Sequence, residues 1–427
     1  MPIIDRLTAA EILDSRGRPT VSAICALAGG ATAAASVPSG TSTGTAEALE
    51  LRDGDPHRYH GLGCRKAVAH VNGEMHAALA GRDFAGQAEL DRALIDLDGT
   101  PNKSRLGANA ILAVSVAFAR ACALERAQPL YQYFAAMLAY TPDTLPRLTI
   151  NLFSGGKHAG RQVAIQDVLI VPVRPATIDD ALAMSYEVYQ AAAALILKRY
   201  GMRLLTADEG GLAPACNSAE EMIETAMVAI KTAGYRPGAD VALAIDVAAS
   251  QFYSKGQYYL DGALLDASGM TARLARWVDR YPIVSIEDGL AEDDWDAWPK
   301  LRQSLEARAL VVGDDLLCTN PQRIRRAIET RACNALLLKP NQIGTLTEAA
   351  EACRLARDAG WQVTLSVRSG ETEDNWAADL AVGWRADQFK PGSITQSERL
   401  AKYNRLLAIE AETGWPVVRW PARGTVI

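Results

Sequence analysis

The chain has 427 residues, of which 50 are acidic and 44 basic, so its formal net charge is −6. Hydrophobic residues make up 49% and charged residues 22%. This composition excludes a disordered or fibrous protein, and the length is sufficient for two or three domains. The mild acidity, without a long basic run, argues against nucleic acid as a partner and against binding to an anionic membrane surface.

The seven cysteines are odd in number and form no C-x-x-C pair. That pattern argues against a disulfide framework and a zinc site, and it is typical of a reducing cytosol. Asp5, Arg6 and Glu11 interrupt the N-terminus before an apolar signal core could form. Because no window holds 18 consecutive apolar residues, we expect a soluble, cytoplasmic protein without a membrane span.

The N-terminal third predicts strands followed by helices. Residues 18–27 (RPTVSAICAL) predict a strand, and residues 29–44 (GGATAAASVPSGTSTG) predict a long flexible loop. From about residue 63 to 137 the apolar spacing is helical. Residues 105–127 (RLGANAILAVSVAFARACALERA) are apolar nearly all round, which predicts a buried helix.

The remainder of the chain predicts an α/β barrel. After residue 145, short apolar runs alternate with helical segments, and each run is bounded by a charged residue and a glycine or proline. Such alternation predicts a parallel sheet, and six or more units favour a closed (β/α)₈ barrel. The proline-marked stretch 141–148 precedes them. We therefore place an α+β capping domain in residues 1–137 and a catalytic barrel in residues 138–427.

A charged residue lies at the C-terminal end of each of six predicted strands, the end where barrel enzymes carry their active sites. One charge after a strand is typical of a turn, whereas six in succession indicate a site. The six residues are Asp246, Glu287, Asp314, Lys339, Arg368 and Lys390.

Three of these charges predict a metal site. Asp246, Glu287 and Asp314 would converge from consecutive strands, where mutual repulsion would raise their pKa values unless a cation were present. An all-oxygen set without histidine or cysteine suits a hard ion such as magnesium. Taken singly, each carboxylate would more often be a helix cap or a salt-bridge partner than a metal ligand.

The two lysines predict a base and an anion site. Lys339 follows three leucines, so burial and neighbouring cations would lower its pKa and make it a general base. Lys390, Arg368 and a metal together would suit a multiply anionic small molecule. The alternative for either lysine is a surface side chain with only its stem buried.

Three further features are candidates. Asp208 and Glu209 precede a glycine pair, so Glu209 is a plausible general acid. The hydroxyl-rich loop that starts at Ser39 could close on a substrate and add an oxygen to a second metal, or it is a plain loop. His158 follows a glycine pair after a predicted strand, although a lone histidine is usually structural.

These segments together resemble the enolase (phosphopyruvate hydratase) family nearly from end to end. The resemblance implies an α+β capping domain, a barrel whose first strands depart from simple alternation, and a homodimer or higher homo-oligomer. The matching segments are LDSRGRPTV, VPSGTSTG, LGANAILAVS, ADEGGLAP, DVAASQFY, SIEDGLAEDDW, VGDD, LLKPNQIGTLTE, RSGETED and SERLAKYNRLLAIE.

The resemblance also implies roles. It makes Lys339 the base that removes the C2 proton and Glu209 the acid that assists loss of the C3 hydroxyl. A lysine or histidine base combined with magnesium is already known for the enolase superfamily. Two magnesium ions are implied, and Ser39 helps to bind the second. The implied ligands of the first are Asp246, Glu287 and Asp314. The implied substrate-binding residues are His158, Gln166, the phosphate-binding pair Arg368 and Ser369, and Lys390 on the carboxylate side of the substrate.

Three substitutions depart from the family pattern on segments expected to face the substrate. Val367 replaces a histidine, Asp167 a glutamate and Lys157 a serine, so we count all three among the substrate-binding residues. Three functions are compatible with them. The first is a working enolase acting on 2-phosphoglycerate. The second is a paralogue acting on a phosphonate-related anion in natural-product biosynthesis, similar to carboxyphosphonoenolpyruvate synthase. The third, a non-catalytic structural or binding protein, is disfavoured because metal ligands, base and acid all match.

Overall fold

The computed structural model describes residues 1–41, 43–201, 205–305 and 308–419. Its N-terminal part contains an antiparallel sheet in the order β1-β2-β3, with strands β1 Ile4–Leu13, β2 Pro19–Leu27 and β3 Thr32–Ser36. Strand β2 confirms the strand predicted there. Strand β3 shows that the predicted loop 29–44 is wrong over five residues. Alternate residues of β3 are buried, but most are alanines, which give a weak strand signal.

Helices pack against this sheet, and one of them forms the centre of the capping domain. Helix α4 is apolar nearly all round and, as predicted, lies in the core. By length and composition alone it could cross a membrane, but 83% of it is buried inside the protein, as in the core helix of a globular domain. The helices are α1 Arg65–His70, α2 His76–Leu79, α3 Gln87–Asp98, α4 Ala108–Glu125 and α5 Leu130–Met137, with a π-helical segment at Val71–Met75 and a 3₁₀ turn at Tyr59–Gly61.

The second part is a closed barrel of eight strands in the order β10-β11-β12-β13-β14-β4-β5-β6, which confirms the predicted fold class. A small sheet, β7-β8-β9, lies beside it. The strands are β4 Arg147–Ser154, β5 Asp167–Pro172, β6 Val241–Asp246, β7 Tyr253–Ser254, β8 Gln257–Leu260, β9 Ala263–Leu265, β10 Ile283–Glu287, β11 Leu310–Gly313, β12 Ala335–Leu338, β13 Gln362–Ser366 and β14 Gln388–Gly392.

Strand β5 runs antiparallel to both of its neighbours, whereas the sequence alternation alone predicted parallel strands throughout. The segment between β4 and β5 contains only a 3₁₀ turn at Gly156–Ala159, and a parallel pair usually needs a helical crossover. In the described part of the chain between β5 and β6 there are two helices, and β6 runs antiparallel to β5. Because of this reversal the first residue of β5, Asp167, pairs with the last residue of β6, Asp246.

Helices cover the outside of the barrel. Side-chain oxygens of Thr177, Ser218, Asp266, Asn320 and Thr345 accept hydrogen bonds from first-turn amides and so begin five of these helices. The predicted domain boundary after residue 137 falls between α5 and β4 and stays a prediction. The helices are α6 Ile178–Tyr200, α7 Ala219–Thr232, α8 Ala267–Arg280, α9 Trp298–Leu305, α10 Pro321–Thr330, α11 Pro340–Ile343, α12 Leu346–Asp358, α13 Trp376–Gly383 and α14 Ser397–Thr413, with a 3₁₀ turn at Ala249–Phe252.

Candidate active site

The charged residues predicted at strand ends meet at one end of the barrel, which we call the mouth. Asp246 and Glu287 are the last residues of β6 and β10 and are paired in the sheet register. Asp314 and Lys339 come directly after β11 and β12. Lys390 lies in the middle of β14, so the prediction that it ends its strand is wrong. Pairing with β4 extends β14 two residues further.

Lys390 bridges two of the predicted metal ligands. Its ammonium Nζ lies 2.8 Å from Asp246 Oδ2 and 2.7 Å from Glu287 Oε2, and all three residues are buried. Burial alone would raise the pKa of Asp246, but the Lys390 charge holds that pKa below its usual value. Burial and the charge of Asp246 raise the pKa of Glu287 well above its usual value. The pair of carboxylates therefore needs positive charge beside it.

The donor set at the mouth fits a hard cation. Glu287 Oε1 is buried and has no hydrogen-bond partner in the described parts of the chain. The charge of Asp314 adds to that of Asp246 in raising the pKa of Glu287, so a divalent cation among the three carboxylates would relieve their repulsion. Carboxylate oxygens are the ligands that magnesium prefers. In the described residues, the acidic groups whose ligand atoms lie close enough to hold an ion are His158–Asp167–Glu209 and Asp288–Asp314–Asp315. The assignment of Asp246, Glu287 and Asp314 as the ligands of one magnesium stays a prediction.

A second acidic group shapes the turn that presents Asp314. Carboxylate oxygens of Asp288, Asp314 and Asp315 lie within 4.8 Å of one another. Asp288 accepts hydrogen bonds from the backbone N–H groups of Asp314 (3.0 Å) and Asp315 (2.7 Å). Burial and the charge of Asp314 raise the pKa of Asp315 to about 8. Asp288 therefore holds the turn in place, and Asp314 adds its charge to the mouth.

Lys339 is paired with Asp314, which reverses the predicted shift of its pKa. The Lys339 Nζ lies 2.5 Å from Asp314 Oδ2, while Gln342 Nε2 donates to the other oxygen of Asp314 at 2.8 Å. Burial alone would lower the lysine pKa, but the charge of Asp314 outweighs it and the pKa is raised. The prediction of a lowered pKa is therefore wrong for this arrangement, because it left out the carboxylate on the neighbouring strand.

Glu209, His158 and Asp167 form a second buried cluster at the mouth. His158 Nδ1 lies 3.5 Å from Asp167 Oδ2 and 3.8 Å from Glu209 Oε1. Asn151 Nδ2 donates to Glu209 Oε2 at 3.0 Å, and Ser154 Oγ donates to Asp167 Oδ1 at 2.5 Å. Burial would lower the pKa of His158, but the charges of Glu209 and Asp167 raise it. The histidine predicted as a site residue therefore lies between two buried carboxylates.

The pKa values of the two carboxylates move in opposite directions. Burial raises the pKa of Asp167. Burial would also raise that of Glu209, but His158 and nearby cations hold it below its usual value. The three groups thus share one buried volume in which the pKa values of His158 and Asp167 are raised and that of Glu209 is lowered.

The remaining predicted substrate contacts differ in position. Gln166 Nε2 donates to Asp246 Oδ2 at 3.0 Å, and its own oxygen accepts from Gln251 at 2.5 Å. Val367, 6% exposed, is buried in the core directly after β13. Lys157 is exposed, and its backbone N–H donates to Gln251 Oε1 at 2.9 Å. The structure therefore brings Gln166 to the mouth, leaves Val367 in the barrel wall and places Lys157 on the surface.

Arg368 and Ser369 lie under the loop of the capping domain. The Arg368 guanidinium contacts Glu47 at 2.9 and 3.3 Å and Asn341 Oδ1 at 3.3 Å. Ser369 Oγ donates to Thr41 Oγ1 at 3.0 Å and accepts from the Thr41 backbone N–H at 2.9 Å. The predicted phosphate-binding pair is thus held by residues from both domains.

Backbone hydrogen bonds connect the loop that starts at Ser39 to the barrel. Ser39 and Gly370 exchange N–H···O hydrogen bonds of 2.8 and 2.9 Å. Gly40 packs so closely on Arg368 that an added Cβ would overlap the guanidinium. Ser39 and Gly40, at the start of the loop predicted to be mobile, therefore lie against Arg368 and Gly370, and a side chain at residue 40 would displace the Arg368 guanidinium.

The Ser39 hydroxyl is engaged within the capping domain. It donates to Glu50 Oε2 at 2.9 Å and accepts from Arg52 Nη2 at 2.7 Å. The structure thus places this hydroxyl against Glu50 and Arg52 rather than against the three carboxylates of the mouth. The expected contribution of Ser39 to a second metal stays a prediction.

Sequence reasoning missed several polar residues that position the predicted ones. Glu47 follows the loop that starts at Ser39, while Gln251 and Gln342 lie inside the quoted segments DVAASQFY and LLKPNQIGTLTE. Most of the missed residues are uncharged, and a charge at a strand end was the sequence signal. Ser154 ends β4 but carries no charge, and Asp288 directly follows Glu287, the charge that ends β10. The missed residues are Glu47, Asn151, Ser154, Gln251, Asp288 and Gln342.

Fold and site together define a two-domain α/β-barrel protein whose mouth carries three carboxylates, two lysines and a buried carboxylate–histidine cluster. The family model of the enolase C-terminal TIM barrel domain matches residues 142–419, and that of the enolase N-terminal domain matches residues 4–134. The chain therefore belongs to the enolase family. This confirms the resemblance and supports the activity of an enolase-like lyase.

Proposed function

We propose that this chain is a magnesium-dependent lyase that converts 2-phosphoglycerate into phosphoenolpyruvate and water. The observation that carries the proposal is the meeting of Lys339 and Glu209 at one buried mouth beside a carboxylate set that fits a cation. Glu209 is close enough to Lys390 and Lys339 for their charges to lower its pKa. A base, an acid and an anion-binding lysine thus act within one small volume.

The first step is removal of the C2 proton by Lys339. A proton alpha to a carboxylate is very weakly acidic, so the base needs positive charge around that carboxylate. Lys390, buried between Asp246 and Glu287, supplies part of it. Magnesium held by Asp246, Glu287 and Asp314 would supply the rest and offset the Asp314 charge that raises the Lys339 pKa.

The second step is loss of the C3 hydroxyl, assisted by Glu209. Glu209 must carry a proton for this step, although its pKa is lowered. His158 and Asp167, whose pKa values are raised, lie beside Glu209 and would supply that proton. Arg368 has five N–H donors, and with Ser369 it would bind the phosphate while remaining paired with Glu47.

The other properties expected from sequence stay predictions. These are two magnesium ions per site, a homodimer or higher homo-oligomer, a cytoplasmic location, and the lack of nucleic-acid and membrane partners. The small anionic substrate is phosphorylated in the main proposal and phosphonate-related in the alternative below.

Val367 favours a second candidate, a paralogue acting on a phosphonate-related anion. A buried valine beside Arg368 offers no side-chain hydrogen bond, and one lost polar contact commonly costs about 1–3 kcal/mol, roughly tenfold to a hundredfold in rate. Asp167, shorter than glutamate and held by Ser154, could add a comparable loss, since a displacement of about 1 Å can cost around a hundredfold. The exposed position of Lys157 weakens the idea that it pairs with an extra anionic group.

The test is 2-phosphoglycerate dehydration with magnesium, followed by phosphoenolpyruvate absorbance. We expect measurable but slow turnover, at least tenfold below the median enzyme value of about 10 s⁻¹. The double variant Val367→His, Asp167→Glu should raise it. Turnover at or above the median would exclude the paralogue. No product at high enzyme concentration and saturating magnesium would contradict 2-phosphoglycerate as the substrate.

A further inference from the structure

We propose that Arg399 is a positioning residue that holds together the three mouth segments carrying Glu209, Lys390 and the Arg368–Ser369 pair. This inference rests on the proposed function, because those segments carry its acid, its carboxylate-binding lysine and its phosphate-binding pair. Arg399 lies in SERLAKYNRLLAIE, a segment that matches the family but to which the mechanism above assigns no role.

The side chain of Arg399 spans segments that are far apart in the sequence. It is the third residue of α14 and is 0% exposed. Nη1 donates to the backbone oxygens of Arg368 at 2.7 Å and Pro391 at 3.4 Å. Nη2 donates to those of Ser369 at 2.7 Å and Asp208 at 3.5 Å. One guanidinium therefore connects the C-terminal ends of β13 and β14 to the turn that carries the proposed acid, Glu209.

The carboxylate nearest to this guanidinium belongs to its own helix. Arg399 Nε lies 3.3 Å from Glu398 Oε1. The Arg399 charge also helps to hold the pKa of Glu209 below its usual value, and the two terminal nitrogens donate to backbone oxygens of the mouth. An arginine makes such contacts because its planar fork offers several donors in fixed directions, whereas a lysine ammonium is a single point charge on a flexible stem.

Gly392 packs closely between the Arg399 side chain and the backbone of Glu209. Gly392 has φ +104°, and an added Cβ would lie 2.8 Å from Arg399 Cδ and 3.1 Å from the Glu209 carbonyl oxygen. The neighbouring Ser393 N–H donates to the same Glu209 oxygen at 2.9 Å. The turn that carries Glu209 therefore packs closely against the end of β14, and the aliphatic part of the Arg399 side chain lies beside it.

Lys339 is held by residues that Arg399 does not contact. Its ammonium contacts Asp314, and its backbone N–H donates to Thr319 Oγ1 at 2.9 Å. Neither residue belongs to the segments that Arg399 joins. The Lys390 ammonium, which also serves the first step, is held by Asp246 and Glu287, and these too lie outside those segments. Weakening Arg399 should therefore affect phosphate binding and elimination more than removal of the C2 proton.

Arg147 provides a matched control. It is also buried, and it also donates to backbone oxygens: Pro172 at 2.6 Å, Val173 at 3.0 Å and Val418 at 2.7 Å. It is the first residue of β4 and so lies at the opposite end of the barrel from the mouth. A lysine at either position loses the same kind of contacts, but only Arg399 contacts the mouth.

The experiment compares Arg399→Lys with Arg147→Lys in the full chain, at a temperature where circular dichroism shows both folded. For Arg399→Lys we expect kcat/KM for 2-phosphoglycerate to fall by roughly tenfold to a hundredfold, as for a displacement of about 1 Å. KM should rise, and the ratio of C2 proton exchange to elimination should increase. Arg147→Lys should change neither KM nor that ratio. An equal loss of exchange and elimination in Arg399→Lys, with unchanged KM, would overturn the proposal.

Hydrogen–deuterium exchange of the backbone provides a readout that does not need activity. In Arg399→Lys, amides of residues 208–210 and 368–370 should exchange faster than in the wild type, and in Arg147→Lys they should not. Unchanged exchange at both segments would overturn the role of Arg399. An inactive wild type would count against the proposed function alone. If Arg399→Lys does not fold, Gly392→Ala, which crowds Arg399 and Glu209 directly, should give the same selective losses.

Discussion

Replacing Lys390 with methionine tests the electrostatics of the mouth. The change removes a buried ammonium that lies 2.8 Å from Asp246 Oδ2 and 2.7 Å from Glu287 Oε2 and leaves two facing carboxylates. Breaking a buried ion pair from one side costs about 3–5 kcal/mol of stability. At about 2–4 °C per kcal/mol for a domain of 150–250 residues, the melting midpoint in chelator should fall by roughly 6–20 °C.

The pH and magnesium dependence of this loss can be derived from the same contacts. Burial and Asp246 already raise the pKa of Glu287, so the folded variant retains a proton that the unfolded chain releases. The destabilisation should therefore grow as pH rises. Saturating magnesium should recover most of the stability, because a cation that binds only the folded site replaces the missing charge. Turnover should not recover, since the proposed reaction needs the ammonium itself.

Lys402→Met is the control for this experiment. Lys402 is buried and donates to Glu371 Oε2 at 2.8 Å and to the Thr372 carbonyl at 2.6 Å. Its loss should also lower the melting midpoint, but magnesium should not restore it. The assay is thermal unfolding in chelator and in magnesium between pH 6 and 8. A Lys390→Met variant as stable as the wild type in chelator, or one that magnesium leaves unchanged, would refute the reasoning.

Three further outcomes are expected. Asp314→Asn should abolish turnover and stabilisation by magnesium while the circular dichroism spectrum stays native, and full wild-type activity in excess chelator would contradict the metal requirement. His158 should titrate above the ordinary 6.5, because the charge of Glu209 outweighs the opposing effect of burial. Its protonation then contributes stability at low pH that is lost as pH rises through the raised pKa. In Glu209→Gln the NMR titration of His158 should move to lower pH, and an unmoved titration would exclude that cause. Gly40→Ala should raise KM with little change in melting midpoint, because a Cβ there overlaps the Arg368 guanidinium. An unchanged KM would show that the packing of residue 40 on Arg368 does not matter for binding.

The barrel could be predicted because several of its strands are short apolar runs with a charge at or just after the end of the strand. Strands β6 and β10 end at Asp246 and Glu287, as the sequence indicated. The direction of β5 could not be predicted from periodicity, which is the same for parallel and antiparallel strands. It depends on the short connection from β4 and on the two helices before β6. Strand β3 was missed because its inward residues, such as Ala33 and Ala35, are small.

For the site, residue type and strand position indicated which side chains share the mouth, but not how they pair. The direction of the Lys339 pKa shift depends on a 2.5 Å contact with Asp314, a residue of another strand. The exposure of Lys157 depends on the path of a loop between two strands. Glu47 gave no strand-end signal, because it follows a loop of the other domain, whereas its partner Arg368 lies in the barrel.

The central claim is that Lys339 removes the C2 proton and Glu209 assists loss of the C3 hydroxyl. Its most direct test is NMR measurement of C2 deuterium incorporation into 2-phosphoglycerate, with magnesium in deuterated water, for the wild type, Lys339→Ala and Glu209→Gln. The wild type should exchange the proton and eliminate water. Lys339→Ala should do neither, and Glu209→Gln should lose elimination but keep measurable exchange. Undiminished C2 exchange in Lys339→Ala would contradict the assignment of the base.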